Sequence, residues 1–263
     1  MSQTGGASLT IENGIATIVL DRASARNAML HATWCALPEL IAQIEANRQV
    51  AAIVVRGADG NFGSGNDIAE FGEIRSDPAR CRAYGRAMAD AMMAVELATR
   101  PVIAAIEGNC YGASVALALA ADFRVASADA RFAITPAKLG ALYLRSDLHR
   151  VVAAIGQGQA RRMIYTAATI GAAQAASIGL VDQIATPGQF ADDLDQILTA
   201  ILRGSPYTLH HSKRMLRGVG QGETPLEDDE SLGWFVDAMQ GADFAEGYSA
   251  FLGKRTPIFV KPL

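Results

Sequence analysis

Cysteine and histidine are scarce in this chain of 263 residues, and their scarcity excludes several kinds of protein. The three cysteines, Cys35, Cys81 and Cys110, have no paired spacing, so we interpret them as reduced thiols and not as a disulfide framework. The four histidines form no ligand-spaced cluster with them, which argues against a zinc site. We therefore expect no metal site and a cytoplasmic location.

Long apolar runs and an excess of positive charge are also missing. No apolar segment is long enough to span a bilayer, and no basic segment precedes an apolar stretch at the N-terminus, so we expect neither a membrane partner nor a signal peptide. A net charge of -4 without a basic patch predicts no nucleic-acid partner. What remains is 50% hydrophobic and 19% charged, which is ordinary for a globular protein with a substantial core.

One segment, residues 101–122, combines a buried strand, a glycine turn and a buried helix. Residues 102–106 form an apolar β-branched run, and residues 113–121 are apolar on every face. Between them, Gly108 and Gly112 can adopt backbone angles that other residues resist. The first N–H groups of a helix have no partner within it and lie at the positive end of its dipole, so this turn favours an anion or a developing oxyanion. The alternative is a turn that only makes a tight corner.

A second turn repeats this chemistry earlier in the chain. The strand expected at residues 51–55 is followed by NFGSGNDI at residues 61–68, a glycine-punctuated turn that leads into helix-compatible sequence. Two such turns can aim backbone N–H groups at one point, as the binding of a reacting carbonyl oxygen requires.

The rest of the chain predicts a mixed α/β core followed by helices. Asn13-Gly14 between alternating segments predicts a hairpin, and the helical spacing over residues 30–44 predicts an amphipathic helix that Pro38 kinks or starts. Further helices are expected at 86–99, 151–176 and 189–252, further strands at 123–126, 131–134 and 180–184, and a frayed end at 1–7. We expect an α/β core over residues 1–200 and a helical C-terminal region over residues 201–263.

Taken in order, these segments resemble the crotonase superfamily, which contains the enoyl-CoA hydratases and isomerases. The likeness rests on NGIATIVLDRASARNAM, AAIVVRGADGNFGSGNDI, RPVIAAIEGNCYGASVALALAADFRVAS, ITPAKLG, AASIGLVDQI and EGYSAFLGKRTPIF, which follow the family's order over nearly the whole chain. The resemblance implies an α/β spiral of repeated β-β-α units, with C-terminal helices that pack subunits into homotrimers, often paired as hexamers. It also implies an acyl-CoA thioester as substrate, with coenzyme A entering only as part of it and no metal or redox cofactor.

The resemblance also implies roles for individual residues. The two backbone donors that hold the thioester oxygen while an enolate develops correspond to the amides of Asn66 and Ala113. The phosphates of coenzyme A are expected near Arg26 and near Lys254 from a neighbouring subunit, although exposed basic residues are commonly just solvated. The adenine is expected beside the segment that contains Ser64, Gly65, Asp67 and Ile68.

The match breaks where the hydratases carry two glutamates that move protons and position water. Ala116 and Pro136 stand at those positions, and neither can transfer a proton, so water addition through that pair is not available. Residues 135–143, TPAKLGALY, are instead similar to the TP-x-x-LG-x-x-Y segment of methylmalonyl-CoA decarboxylase, a member of the same superfamily. Loss of CO2 from a 2-carboxyacyl-CoA needs no base to start it, and the hydroxyls of Thr135 and Tyr143 are suited to orienting a carboxylate.

We therefore predict an enzyme of this superfamily that stabilises an enolate, with decarboxylation as the leading hypothesis. The alternatives are an isomerase or hydratase that uses another acid, such as Asp67 or Asp147, and an inactive binding subunit. Structural roles compete for each side chain: Asp67 caps a helix, and Asp147 and His149 lie on a helical surface. Likewise, Thr135 bonds backbone and Tyr143 is a half-buried aromatic.

Overall fold

The computed structural model describes residues 2–222 and 226–259, without the side chains of residues 2–4 and 221. The strands in these ranges are β1 (Ser2–Thr4), β2 (Ala7–Glu12), β3 (Ile15–Leu20), β4 (Ala52–Gly57), β5 (Val102–Ile106), β6 (Asn109–Tyr111), β7 (Phe123–Ala126), β8 (Arg131–Ala133), β9 (Ile170–Gly171) and β10 (Gln183–Ile184). The helices are α1 (His31–Ala46), α2 (Phe71–Ile74), α3 (Pro78–Leu97), α4 (Ala113–Ala120), α5 (Pro136–Leu139), α6 (Arg145–Thr166), α7 (Ala172–Ser177), α8 (Phe190–Leu202), α9 (Pro206–Gln221), α10 (Asp229–Gln240) and α11 (Ala242–Leu252).

The main sheet has the strand order β1-β2-β3-β4-β5-β7-β10. Its first three strands are antiparallel, and each later strand pairs with its neighbour in parallel. Asn13 and Gly14 turn the β2–β3 hairpin with φ of 51° and 81°, as the sequence predicts. The prediction of a frayed N-terminus is wrong for residues 2–4, because they pair with the otherwise free edge of β2.

The central parallel strands β4 and β5 are buried on both faces, which explains why they read as continuous apolar runs. Ile53 and Val55 of β4 face the larger core, which includes side chains of α1, α3 and α4. Val54 faces a smaller cluster with Leu194 and Leu198 of α8. The strands are therefore fixed between helices, and the turns at their carboxyl ends are held at defined positions.

Several predicted boundaries need correction. Pro38 lies inside α1 and does not start it. The helix predicted from residue 86 begins at Pro78, because the Asp77 side chain accepts a hydrogen bond from the amide of Ala79 at 2.8 Å and caps it there. The helix predicted at 151–176 is divided into α6 and α7, with β9 between them and a non-helical Gly156 within α6.

The strand predicted at residues 180–184 is also shorter than expected. Only β10 pairs with the sheet, whereas the amide of Leu180 bonds the carbonyl of Ala175 in a turn. Leu180 and Val181 are buried, so their apolar character reflects core packing of that turn.

The C-terminal helices are joined to the sheet by α9. Lys213 of α9 forms an ion pair with Asp122 at 2.8 Å, and its ammonium group donates to the carbonyl of Arg100 at 3.0 Å. Beyond α9, large apolar side chains of α10 and α11 are exposed, namely Leu232, Phe235, Val236, Met239, Phe244, Tyr248, Phe251 and Leu252. Within residues 2–222 and 226–259, no helix has the length and apolarity that crossing a membrane demands.

Candidate functional site

The glycine turn between β5 and α4 presents the amide of Ala113. Gly108 and Gly112 have φ of 54° and 53°, and Gly112 directly precedes the first residue of α4. Ala113 is the first residue of a helix whose eight residues are all buried. No hydrogen bond is recorded for the amide of Ala113 in the described part of the chain. It is therefore a free donor at the positive end of a helix.

The earlier glycine turn presents the amide of Asn66. Met29 donates to the carbonyl of Gly65 at 2.8 Å and accepts from the amide of Asp67 at 2.9 Å. The Asn66 amide lies between these two bonds, and among the described residues it has no recorded partner of its own. Gly65 makes this geometry possible with φ of 95°, a value that L side chains rarely adopt.

The two turns contact each other directly, although they lie far apart in the chain. Tyr111 donates its amide to the carbonyl of Gly63 at 2.9 Å, and Gly65 donates its amide to Oγ of Ser114 at 3.0 Å. A Cβ atom built on Gly65 would lie only 3.2 Å from the amide nitrogen of Ala113. The two free amides are therefore held close to one another.

A cavity of about 200 Å³ opens beside the two turns. The predicted site residues that line it are Ser64, Gly65, Asn66, Ile68, Ala113, Thr135 and Tyr143. The other lining residues are Phe71, Cys81, Tyr84, Gly85, Met88, Gly112, Pro136, Leu139, Ala141, Leu142 and Leu144. None of these described residues is an aspartate, glutamate, histidine, lysine or arginine, so the cavity has no charged wall.

The two predicted hydroxyl side chains differ in what they bond. The Tyr143 hydroxyl donates to the carbonyl of Gly112 at 2.5 Å, and burial holds the pKa of this hydroxyl well above its usual range. That carbonyl belongs to the same peptide unit as the free amide of Ala113. The hydrogen bond from Tyr143 therefore holds the turn at Gly112 in place. The half-buried Thr135 has no recorded side-chain hydrogen bond among the described residues, which leaves its hydroxyl available to a ligand.

The side chain of Asn66 is held by two neighbouring side chains, Trp34 and Met88. Its Oδ1 accepts from Nε1 of Trp34 at 2.9 Å, and its Nδ2 contacts Sδ of Met88 at 3.6 Å. What this residue contributes to the site is its backbone amide.

Tyr84 is a site residue that the sequence analysis missed. It lines the cavity, is only 6% exposed, and has a buried hydroxyl that interacts with Trp34 but makes no hydrogen bond of good geometry among the described residues. Burial raises the pKa of this hydroxyl, so it stays protonated. The signal lay in the spacing: Tyr84 precedes Met88 by one helical turn on α3, so both face the same way.

The candidate substitute acids do not line the cavity. Asp67 caps the turn after Asn66 by accepting from the amide of Ala69 at 3.0 Å, and it pairs with Arg22 at 2.9 Å. The Ala69 amide, and then Arg22, lower the pKa of the Asp67 carboxyl. Asp67 therefore stays ionised, and both its carboxylate oxygens are engaged. It has the capping role that the sequence analysis gave as the alternative to catalysis.

The expectation that Asp147 lies on a helical surface is wrong, because this residue is buried. His149 is exposed, as expected. Asp147 is fully buried, with one carboxylate oxygen 3.1 Å from Arg150 and the other without a recorded partner in the described chain. Burial raises the pKa of this carboxyl, although Arg150 opposes the shift. Asp147 is not among the residues that line the cavity.

The residues predicted to bind coenzyme A are only partly brought together. The carbonyl of Arg26 accepts from the amide of Ser64 at 3.0 Å, so the exposed Arg26 lies next to the cavity wall. Lys254 follows α11, is exposed, and does not line the cavity of its own chain. Glu107, an acid in an apolar setting, pairs with Arg56 at 2.9 Å.

The positions that carry glutamates in hydratases hold no acid here. Pro136 lines the cavity as the first residue of α5, and Ala116 is fully buried within α4. The cavity therefore offers hydrogen-bond donors and, among the described lining residues, neither a carboxylate nor a histidine to take a proton.

Comparison with known proteins gives a family for this arrangement. The family model described as enoyl-CoA hydratase/isomerase matches residues 10–262. The chain is 29% identical over 247 residues to the short-chain-enoyl-CoA hydratase of Clostridium acetobutylicum, covering 93% of each chain. It is 26% identical to the methylmalonyl-CoA decarboxylase of Escherichia coli, covering 81% of this chain and 82% of that one.

Solved structures agree with this assignment. A crystal structure of an enoyl-CoA hydratase/isomerase family protein from Hyphomonas neptunium superimposes with a TM-score of 0.93 at 38% identity, covering 98% of both chains. The fold predicted from the sequence, a crotonase-type α/β fold, is thereby confirmed.

Proposed function

Since the chain belongs to the enoyl-CoA hydratase/isomerase family, we propose that it decarboxylates a 2-carboxyacyl-CoA thioester through an enolate. One observation carries this proposal: two free amides, Asn66 and Ala113, flank a cavity whose described lining contains no carboxylate, histidine, lysine or arginine. Such a cavity is better suited to stabilising an enolate than to making one by removing a proton. Decarboxylation generates the enolate without a base.

In this mechanism the amides of Asn66 and Ala113 bind the thioester oxygen. The bond between the α-carbon and the carboxylate breaks, its electron pair moves to the thioester as an enolate, and CO2 leaves. A proton from water then restores a neutral acyl-CoA. Each amide is worth roughly 10²–10³ in rate if it behaves like other oxyanion-hole donors.

The uncharged cavity favours this reaction for a second reason. A carboxylate loses its hydration shell there, and the product CO2 carries no charge, so the transition state is disfavoured less than the ground state. Thr135 is the hydroxyl that remains free to orient the carboxylate. Tyr143 supports the Gly112–Ala113 peptide and thereby acts on the thioester oxygen through Ala113.

Coenzyme A is proposed to enter over the apolar rim of the cavity. Ile68, Leu139 and Leu142 line the cavity and are 51%, 56% and 94% exposed, which suits contact with the pantetheine arm. The exposed Arg26 beside Ser64 is proposed to bind the phosphates. Lys254 is proposed to reach the phosphates of a neighbouring subunit's substrate.

The C-terminal helices are proposed to pack subunits into trimers. The exposed apolar side chains of α10 and α11 support this, with Phe251 and Phe235 at 82% and 63% exposure. Light scattering of the purified protein should give three times the chain mass or six times it. The monomer mass would contradict the proposal.

The proposed reaction is tested with a panel of thioesters and product analysis by mass spectrometry. We expect methylmalonyl-CoA, or a related 2-carboxyacyl-CoA, to lose CO2, and crotonyl-CoA to remain unchanged. Thr135→Val keeps the side-chain shape and should lower kcat for CO2 loss about tenfold, since the carboxylate loses its hydrogen bond. The matched control is Thr166→Val, at an exposed threonine at the end of α6.

Other results would replace the proposal. Addition of water to crotonyl-CoA would identify a hydratase with a different acid, and migration of a double bond would identify an isomerase. Binding of coenzyme A without turnover of any thioester would identify a binding subunit.

A further inference from the structure

Ser114 is a fully buried polar residue that the reaction described above does not use. It is the second residue of α4, and its Oγ accepts a hydrogen bond from the amide of Gly65 at 3.0 Å. We propose that Ser114 is a positioning residue that sets the spacing of the two oxyanion-binding amides. The inference rests on the proposed use of those amides, but not on decarboxylation in particular.

The bond joins the immediate neighbours of the two donors. Ser114 follows Ala113 on the buried helix, and Gly65 precedes Asn66 on the earlier turn. Because α4 is enclosed by the core, the position of the Ser114 hydroxyl is fixed to that of the Ala113 amide. The hydrogen bond from the Gly65 amide to this hydroxyl therefore fixes the Asn66 amide relative to α4.

The local packing leaves room for the serine hydroxyl and for little else. A Cβ atom on Gly63 would lie 2.5 Å from Oγ of Ser114, so the turn approaches this side chain with a glycine. The Gly65 amide, in turn, has Ser114 as its recorded partner. Without an acceptor at residue 114, that buried amide would be unpaired, and the turn would shift to satisfy it.

The other recorded contacts of the donors hold each turn separately. Met29 fixes the Gly65 carbonyl, and Tyr143 fixes the Gly112 carbonyl. Neither of these bonds crosses from one turn to the other. Two backbone bonds do cross, from the Tyr111 amide to the Gly63 carbonyl and from the Gly63 amide to the Asn109 carbonyl, but they lie two or more residues from either donor. The Gly65–Ser114 bond crosses one residue away from each donor, which makes it the crossing contact that acts most directly on their separation.

The test uses two ligands whose demands on the amides differ. Acetoacetyl-CoA forms an enolate that absorbs in the near ultraviolet, whereas butyryl-CoA presents only a neutral thioester oxygen. In the wild-type protein we expect bound acetoacetyl-CoA to show the enolate band. Ser114→Ala removes the acceptor, and Ser114→Cys keeps the side-chain shape with a weaker acceptor.

We expect both variants to lower the affinity for the acetoacetyl-CoA enolate, by up to about a hundredfold, because displacement of a donor by an ångström has costs of that order. The affinity for butyryl-CoA should change much less, since a neutral oxygen gains less from the amides. Ser231→Ala is the matched control, because Ser231 is also a buried serine that bonds backbone, but on α10. It should leave both affinities unchanged.

The outcomes separate this inference from the proposed function. An enolate band that both Ser114 variants retain at wild-type strength would overturn the positioning role alone. Equal losses for the two ligands would also overturn it, because they would reveal a general structural defect. If the wild-type protein itself fails to stabilise the enolate, the oxyanion hole and the proposed function fail together. Should Ser114→Ala not fold, Ser114→Cys carries the test.

Discussion

The two turns beside the cavity present the same group, a free backbone amide, by different means. The amide of Ala113 begins an eight-residue helix that is buried throughout, so it has the field of a helix terminus behind it. The amide of Asn66 is followed only by a 3-10 turn of three residues, Ile68–Glu70, at the edge of the cavity. The position of the Asn66 amide, in the turn that comes first in the chain, therefore depends on individual hydrogen bonds. The position of the Ala113 amide, in the later turn, depends on the buried helix α4.

The tyrosines on the two sides of the cavity repeat this difference. The Tyr143 hydroxyl bonds the backbone of the turn at Gly112, whereas the hydroxyl of Tyr84, whose ring stacks on His31 at 5.5 Å, interacts with Trp34 and makes no hydrogen bond of good geometry among the described residues. The hydroxyls of these two tyrosines therefore contribute differently to the free energy of folding. Whether a polar group positions a turn depends on what it bonds and not on its residue type.

The largest expected loss of activity comes from a steric clash between the two turns. Gly65→Ala would place a methyl group 2.9 Å from the carbonyl of Tyr111 and 3.2 Å from the amide nitrogen of Ala113, at a φ that alanine resists. We expect kcat to fall by roughly 10²–10³, as for the loss of an oxyanion-hole donor. Gly60→Ala is the control, since Gly60 also has a positive φ but its added Cβ meets nothing within 4 Å. Equal activity of the two variants in steady-state assays would contradict the role of the contact.

A smaller loss is expected when only the support of the second turn is removed. Tyr143→Phe deletes the hydrogen bond to the Gly112 carbonyl, so the Ala113 amide is less polarised and less firmly held. We expect kcat to fall about tenfold with KM little changed, well short of the loss for a donor itself. Tyr165→Phe, at an exposed tyrosine of α6, serves as the control. Complete loss of activity would show that Tyr143 acts on the substrate directly.

Loss of the Tyr84 hydroxyl should affect the free energy of unfolding less than loss of the Tyr143 hydroxyl. Tyr84→Phe removes a buried hydroxyl that interacts only with Trp34, whose indole N–H already donates to Asn66, so the free energy of unfolding should change by less than about 1 kcal/mol. Tyr143→Phe should lower it by about 1 kcal/mol, because a buried hydrogen bond is lost. Denaturant titration of both variants measures the contrast. A clear destabilisation by Tyr84→Phe would reveal a bond that the structure does not record.

The smallest effect concerns the cap of the first turn and depends on pH. The pKa of Asp67 is lowered in the folded protein, so its stabilisation is fully present above the unfolded value near 3.8 and is lost as pH falls through the lower folded pKa. Asp67→Ala should therefore cost about 0.5–1 kcal/mol at neutral pH and progressively less below about pH 4. Unfolding curves across this range, with Asp195→Ala as an exposed control on α8, test the sign. A cost that does not vary with pH would argue against the lowered pKa, and so against the bonds of the ionised carboxylate to the Ala69 amide and to Arg22.

Much of the fold could be predicted because its signals are local. The Asn13-Gly14 hairpin, the apolar strands β4 and β5 and the strand-turn-helix around Gly112 are each encoded in a few consecutive residues. Errors arose where strand pairing or burial, and not the apolar pattern of the segment, decided the outcome. Residues 2–4 became a strand because β2 offered a free edge, and Leu180 became part of a buried turn because the core covered it.

The same division holds for the candidate site. Glycine positions and the start of a helix were enough to pick out the two turns, and the family resemblance assigned the donors within them to the amides of Asn66 and Ala113. The burial of Asp147, the buried hydroxyl of Tyr84 and the bond from Tyr143 could not be predicted, because each depends on elements packed from other parts of the chain. Periodicity places a side chain on a face of a helix, but it does not identify the neighbour on that face.

By itself, the sequence determined the two glycine turns, the absence of glutamates at Ala116 and Pro136, and the resemblance to a family of acyl-CoA enzymes. The tertiary structure decided that the turns meet at one uncharged cavity, and it assigned the hydroxyls of Ser114 and Tyr143 to backbone partners. The physical reason is that φ preferences and helix ends are properties of short segments. The distance between two amides is set by hydrogen bonds and packing between residues that are remote in the chain, such as Gly65 and Ser114.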